Sequence, residues 1–161
     1  MITQQEIKTW LTGRLGDWFE DFEVVLDREE ITILGRLPDE GLTDGAAQAG
    51  RITRFREQTR DERIGIAREL ERATGRKVAW GARCGDTERM FTRLSVPVMT
   101  RLKQDDRRVL DTLVAAGVAR SRSDALAWCV RLVGQHEADW LEQLRAAMRS
   151  VDRVREQGPT P

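Results

Sequence analysis

An alternating segment in the second half of the chain constrains the fold most. Within residues 93–102, Leu94, Val96, Val98 and Leu102 share one parity; Arg93, Ser95, Pro97, Met99 and Arg101 share the other. Alternation sends successive side chains to opposite faces, so the pattern predicts a strand with one apolar face. A lone strand with an apolar face and two unpaired edges is not stable. Pairing with the same strand of a second copy solves both problems, which predicts a dimer.

The residues that follow read as helices. Val109, Leu110, Leu113 and Val114 predict a helix from about Asp105 that stops at Gly117. In Ser121-Arg122-Ser123-Asp124, Ser121 is placed to cap a second helix, with Asp124 three residues on. That helix is expected to bury Leu126, Cys129, Val130 and Val133. After Gly134 the apolar spacing resumes at Trp140, Leu141, Leu144, Met148 and Val151.

The stretch LDTLVAAGVARSRSDAL, residues 110–126, resembles the helix–turn–helix part of the ribbon-helix-helix (CopG/Arc/MetJ-like) repressor superfamily. With the alternating segment before it, the resemblance covers residues 93–133, about a quarter of the chain. It implies a homodimer whose two-stranded ribbon enters the DNA major groove. Arg93, Ser95, Met99 and Arg101 would then be the base-reading side chains. Arg120, Ser121, Arg122 and Ser123, at the start of the second helix, would hold a phosphate. The sequence departs from the family at Pro97 and Met99, where central ribbon positions are usually polar or basic, and at Lys103, where a proline often begins the first helix. Two registers are open. Either the ribbon spans residues 95–102 and reads through Arg101 and Met99, or Pro97 starts an extended first helix and Arg93 and Ser95 read.

The first half of the chain has a different character. Ile7, Trp10, Leu11, Leu15 and Trp18 predict a helix over residues 3–19, with Thr3 as cap and Glu6 three residues later. Residues 22–26 and 31–34 are β-rich runs around a polar break, a hairpin pattern. Residues 38–50 form a loop. Ile52, Phe55, Ile66 and Leu70 mark one long charged helix ending at Gly75, and Val78-Ala79-Trp80 a third strand. Gly85-Asp86-Thr87 is taken as the domain boundary.

Charge distribution says more than net charge, which is zero. Residues 90–132 carry eight Lys/Arg against four Asp/Glu, while both flanks are slightly acidic. A basic middle between acidic flanks suggests a local anionic partner. Cys84 and Cys129 fit no metal spacing and read as small buried hydrophobes; His136 is the only histidine. Residues 81–85 lack the Gly-Lys-Ser/Thr of a phosphate loop, and residues 45–50 lack dinucleotide-binding spacing. Glu29-Glu30 and Asp105-Asp106 point apart and make poor acid/base pairs. The mixed charges of residues 51–72 read as a solvated helix face, and the five tryptophans as packing residues.

The expectation is therefore α+β. A small N-terminal α-β-β-α-β domain, residues 1–88, precedes a ribbon-helix-helix dimerisation and DNA-binding domain with an extra C-terminal helix, residues 89–157; residues 158–161 form a disordered tail. The expected function is a homodimeric, sequence-specific transcriptional regulator of double-stranded DNA, in the cytoplasm, with no catalytic residues, metal, cofactor or membrane span. The alternative is a dimeric scaffold or antitoxin-like protein that keeps the unit mainly for dimerisation.

Overall fold

The structure is a computed structural model that describes residues 3–158. The chain divides into two compact units, Met1–Val98 and Met99–Pro161.

The first unit begins with α1 (Gln4–Leu15), which starts where Thr3 and Glu6 cap each other. Thr3 Oγ1 accepts from Glu6 N at 3.2 Å, and Glu6 Oε2 accepts from Thr3 N at 2.7 Å. The hairpin β1 (Asp21–Leu26) and β2 (Glu30–Arg36) turns on Asp27, whose Oδ1 accepts from the backbone N–H of Glu29 and of Glu30. Asp44 caps α2 (Gly45–Gln58), and α3 (Arg60–Thr74) closes on Gly75 in the left-handed region, φ 72°. The antiparallel pair β3 (Lys77–Cys84) and β4 (Thr87–Met90) follows.

The sheet order is β1-β2-β3-β4, with β2 and β3 parallel. A parallel pair needs a long crossover, and α2 and α3 provide it. Register puts Val24, Ile33 and Trp80 side by side on one face, next to Ile31 and Val78. Ile7, Leu11 and Leu15 of α1 and Ile66 and Leu70 of α3 pack on that face. A second cluster joins Leu37, Ile52 and Phe55 to Ala82 and Cys84. Burial pushes the Cys84 thiol up, so it packs as a neutral apolar group. On the other face Val25 is exposed and Arg83 pairs with Glu88 at 2.7 Å.

The expected fold is corrected in three places. First, the N-terminal order is α-β-β-α-α-β-β, not α-β-β-α-β, and the loop expected over residues 38–50 ends at Asp44, after which α2 begins. The helix expected to run on to Gly75 breaks at Thr59, which leaves helical geometry at ψ 8° and turns its hydroxyl onto the Phe55 carbonyl at 2.7 Å. Gly85-Asp86 is a hairpin turn inside the sheet, with Gly85 at φ 53°, so the first unit runs on through β4.

Second, the ribbon is absent. Residues 92–103 form neither strand nor helix, and residues 92–101 are all exposed. Alternation supplies a face but no ladder: the sheet ends with β4, and Pro97 has no N–H to donate. Neither register holds, because no strand forms and the first helix starts at Gln104. The chain is thus a four-stranded α+β unit followed by an all-helical one, not a domain followed by a ribbon-helix-helix unit.

Third, the second helix buries less than expected. The second unit holds α4 (Gln104–Ala115), α5 (Arg122–His136) and α6 (Ala138–Gln157). Leu110, Ala119 and Ala125 form its small core, with Leu102, Leu113, Leu126 and Cys129 against it. Val130 and Val133 instead remain 66% and 50% exposed, because three helices of one chain cannot cover every apolar face they carry. No helix among the described residues is long and apolar enough to cross a membrane. Beyond Gly158, the expected tail lies outside the described residues.

Candidate nucleic-acid interface

The turn between α4 and α5 is built from local signals. Gly117 takes φ 75° and ends α4. Ser121 Oγ accepts from Asp124 N at 3.1 Å, and Asp124 Oδ2 accepts from Arg120 N at 3.0 Å. Two otherwise orphaned donors are thereby satisfied. Arg122 reaches back to α4, donating from Nε and Nη2 to the two carboxylate oxygens of Asp111 at 2.7 and 2.8 Å. This hydrogen bonding holds the Asp111 carboxyl below its ordinary value and raises the Arg122 guanidinium above its own.

The four residues assigned to phosphate therefore differ in what they can still do. Arg122 is committed to Asp111, and the Ser121 oxygen to the cap. Arg120 is 95% exposed along its side chain, with only a 3.8 Å approach to Asp124. Ser123 is exposed as well.

The four residues assigned to base reading are all exposed, but they share no element. Arg93 and Ser95 belong to the first unit, Met99 and Arg101 to the second. Within the second unit, Arg101 is followed by Lys103, Arg107 and Arg108 at the start of α4. All four are exposed, and none forms an ion pair among the described residues. Asp105 and Asp106 sit in the first turn of α4, where the helix dipole favours carboxylates. They too make no ion pair there.

The second unit also carries an uncovered apolar seam. Along α6, Trp140, Leu144, Ala147, Val151 and Val154 recur at spacings of four, three, four and three, and all are exposed. That is the repeat of a coiled-coil contact.

Both units match known families. Residues 5–90 match the model described as Rv1265-like protein, N-terminal domain. The chain belongs to the Rv1265-like family. Residues 103–155 match the Mb1296 C-terminal domain, and the two matches fall on either side of the division at Val98. Relatives in this family include the uncharacterized proteins Mb1296 of Mycobacterium bovis and Rv1265 of Mycobacterium tuberculosis. Each is 57% identical over 155 residues, covering 93% of this chain and 69% of the relative. No solved structure matches the chain. Neither matched family description names the ribbon-helix-helix superfamily.

One feature of the Rv1265-like unit escaped the sequence reading. Arg56, Arg60 and Arg63 converge with Phe91 on a cleft at the α2–α3 junction. A signal was present, since arginines at i, i+4 and i+7 share one helix face. The intervening Glu57, Asp61 and Glu62 masked it in a count of charges.

Proposed function

We propose that this chain is a self-associating DNA-binding regulator that grips the phosphates of double-stranded DNA through its C-terminal helical unit. The observation that carries this reading is the run Arg101, Lys103, Arg107 and Arg108, exposed and without ion pairs among the described residues. Cations left unpaired inside a chain of zero net charge suit a local polyanion, and phosphate contacts supply most non-specific affinity for DNA. Arg120 adds a fifth exposed cation near the α5 start. The α6 seam suits assembly of copies, and two copies present two sets of cations to one duplex. The role is one of binding rather than catalysis, and a DNA ligand implies the cytoplasm. The test is duplex binding at controlled salt. Wild type binds with a steep salt dependence, and a variant with Arg101, Lys103, Arg107 and Arg108 changed to alanine does not. Equal affinity of the two proteins overturns the reading.

The apolar seam also favours a second reading, a scaffold that assembles through α6 and carries no DNA. A tight oligomer with no duplex affinity at low salt selects it.

A further inference from the structure

The cleft at the α2–α3 junction presents a buried cation, Arg63, that forms no ion pair among the described residues. Thr59 separates the helices, and the Arg63 side chain folds back across the break. Its Nε donates to Thr59 Oγ1 at 3.0 Å and its Nη2 to the Arg56 carbonyl at 2.6 Å. Its guanidinium lies 4.8 Å from the Phe91 ring centre, and that of Arg56 lies 5.7 Å from the same ring. Arg63 is only 7% exposed. Its Nη1 makes no hydrogen bond, and no carboxylate forms an ion pair with it, among the described residues. Glu57 lines the same cleft but pairs with none of the three arginines; Arg60 makes one solvent-exposed contact with its neighbour Asp61 at 3.7 Å.

Buried charges ordinarily have partners, because desolvation penalises the charged form. Here the charges that act on the guanidinium are those of Arg56 and Arg60. Burial first, then Arg56 and Arg60, pull the Arg63 guanidinium below its ordinary value. A bound anion would supply the counter-charge that the fold leaves out. The space beside these groups is about 390 Å³. That lies within the range of organic-ligand sites, roughly 300–1,000 Å³, and exceeds the needs of a lone phosphate. Ile64 and Phe91 give the cleft an apolar wall, and Thr92 lines it with a hydroxyl, while the Thr53 hydroxyl is spent on the Ala49 carbonyl.

We propose that this cleft binds a small organic phosphate of nucleotide size, with its phosphoryl group held by Arg56, Arg60 and Arg63 and its carbon framework against Ile64 and Phe91. Three guanidiniums suit a phosphate dianion: Arg56 and Arg60 can each meet it with paired donors, and Arg63 with the Nη1 its other bonds leave over. The site lies wholly in the first unit, whereas the proposed DNA contacts are assigned to the second.

Calorimetric titration of the full chain with AMP, ribose 5-phosphate, inorganic phosphate and adenosine tests this, with duplex DNA as a separate arm. The expected result is binding of AMP or ribose 5-phosphate at least tenfold tighter than inorganic phosphate, and none of adenosine. Arg63→Gln removes bonds that hold the helix junction, so the decisive variant is the exposed Arg60→Glu, which lowers the organic-phosphate affinity at least tenfold. Absence of binding for both organic phosphates, equal affinity in Arg60→Glu, or inorganic phosphate binding as tightly as AMP each overturns the proposal. So does loss of duplex binding in Arg60→Glu without any binding of AMP, which assigns the cleft to backbone phosphates. AMP binding in a protein with no duplex affinity leaves this proposal standing and overturns the DNA reading instead.

Discussion

Arg122 and Asp111 form a two-pronged ion pair, 2.7 and 2.8 Å, that ties the first turn of α5 to α4. The pair engages, at the surface, an arginine in the first turn of α5 that could otherwise meet an anion at that N-terminus. It also makes the turn sensitive to acid. Asp111 has a lowered folded value, so its stabilisation is complete above the ordinary carboxylate value and disappears as pH falls through the lower one. Thermal midpoints measured from neutral to strongly acidic pH therefore fall further in wild type than in Asp111→Asn. Parallel curves for the two proteins show that the pair does not set the acid sensitivity. Arg122→Ala leaves duplex affinity nearly unchanged, because that guanidinium already has its partner.

The unpaired cations behave differently. Each phosphate contact contributes about 0.9 to the slope of log affinity against log salt. Changing Arg101 and Lys103 together to alanine reduces that slope by about 1.8 if each meets one phosphate. Fluorescence anisotropy across a salt series reads the slope directly, and an unaltered slope excludes both residues from the contact.

The α6 seam governs assembly. Leu144→Asp places a charge in the middle of the apolar repeat and weakens self-association by at least tenfold, equivalent to about 1.4 kcal/mol. Sedimentation velocity over a concentration series shows the shift toward the monomer. A sedimentation profile identical to wild type means that copies meet elsewhere or do not meet.

Gly35 lies on the inner face of β2, where a Cβ would overlap the Phe19 ring. Gly35→Ala forces either the strand or the ring to move, and this overpacking costs about 2 kcal/mol. Urea unfolding measures the loss. Adding Phe19→Ala makes the room again, so the double variant loses less than the sum of the two single changes. Strict additivity rules out the close approach as the cause.

Much of the first unit was legible in the sequence. The Thr3–Glu6 box starts α1, Gly75 ends α3, and the hairpin around Asp27 joins two β-rich runs. Two elements were not legible, for different reasons. Ile52, Phe55, Ile66 and Leu70 all face the core, yet they lie on two helices, because the backbone leaves helical geometry at Thr59 in the middle of the run. β4 is a strand because β3 lies beside it, and its four residues, Thr87-Glu88-Arg89-Met90, show little strand character of their own.

The candidate sites divide in the same way. Ser121 and Asp124 were readable as a cap, since cap and recipient lie within three residues. The commitment of Arg122 was not, because Asp111 is eleven residues away on another helix. The arginine cleft depends on Phe91, which lies far along the chain from Arg56 and Arg63 and meets them only in the fold.

By itself the sequence determined the helix caps, the helix ends at left-handed glycines, the α1 stripe and the unequal distribution of charge. These depend on interactions spanning a few residues, which the order of side chains specifies directly. Only the tertiary structure decided that residues 92–103 stay out of the sheet, that Arg122 is ion-paired while Arg101, Lys103, Arg107 and Arg108 form no ion pair among the described residues, and that three arginines close on one cleft. A strand needs a ladder partner and a charge needs a neighbour, and both come from residues distant in the chain.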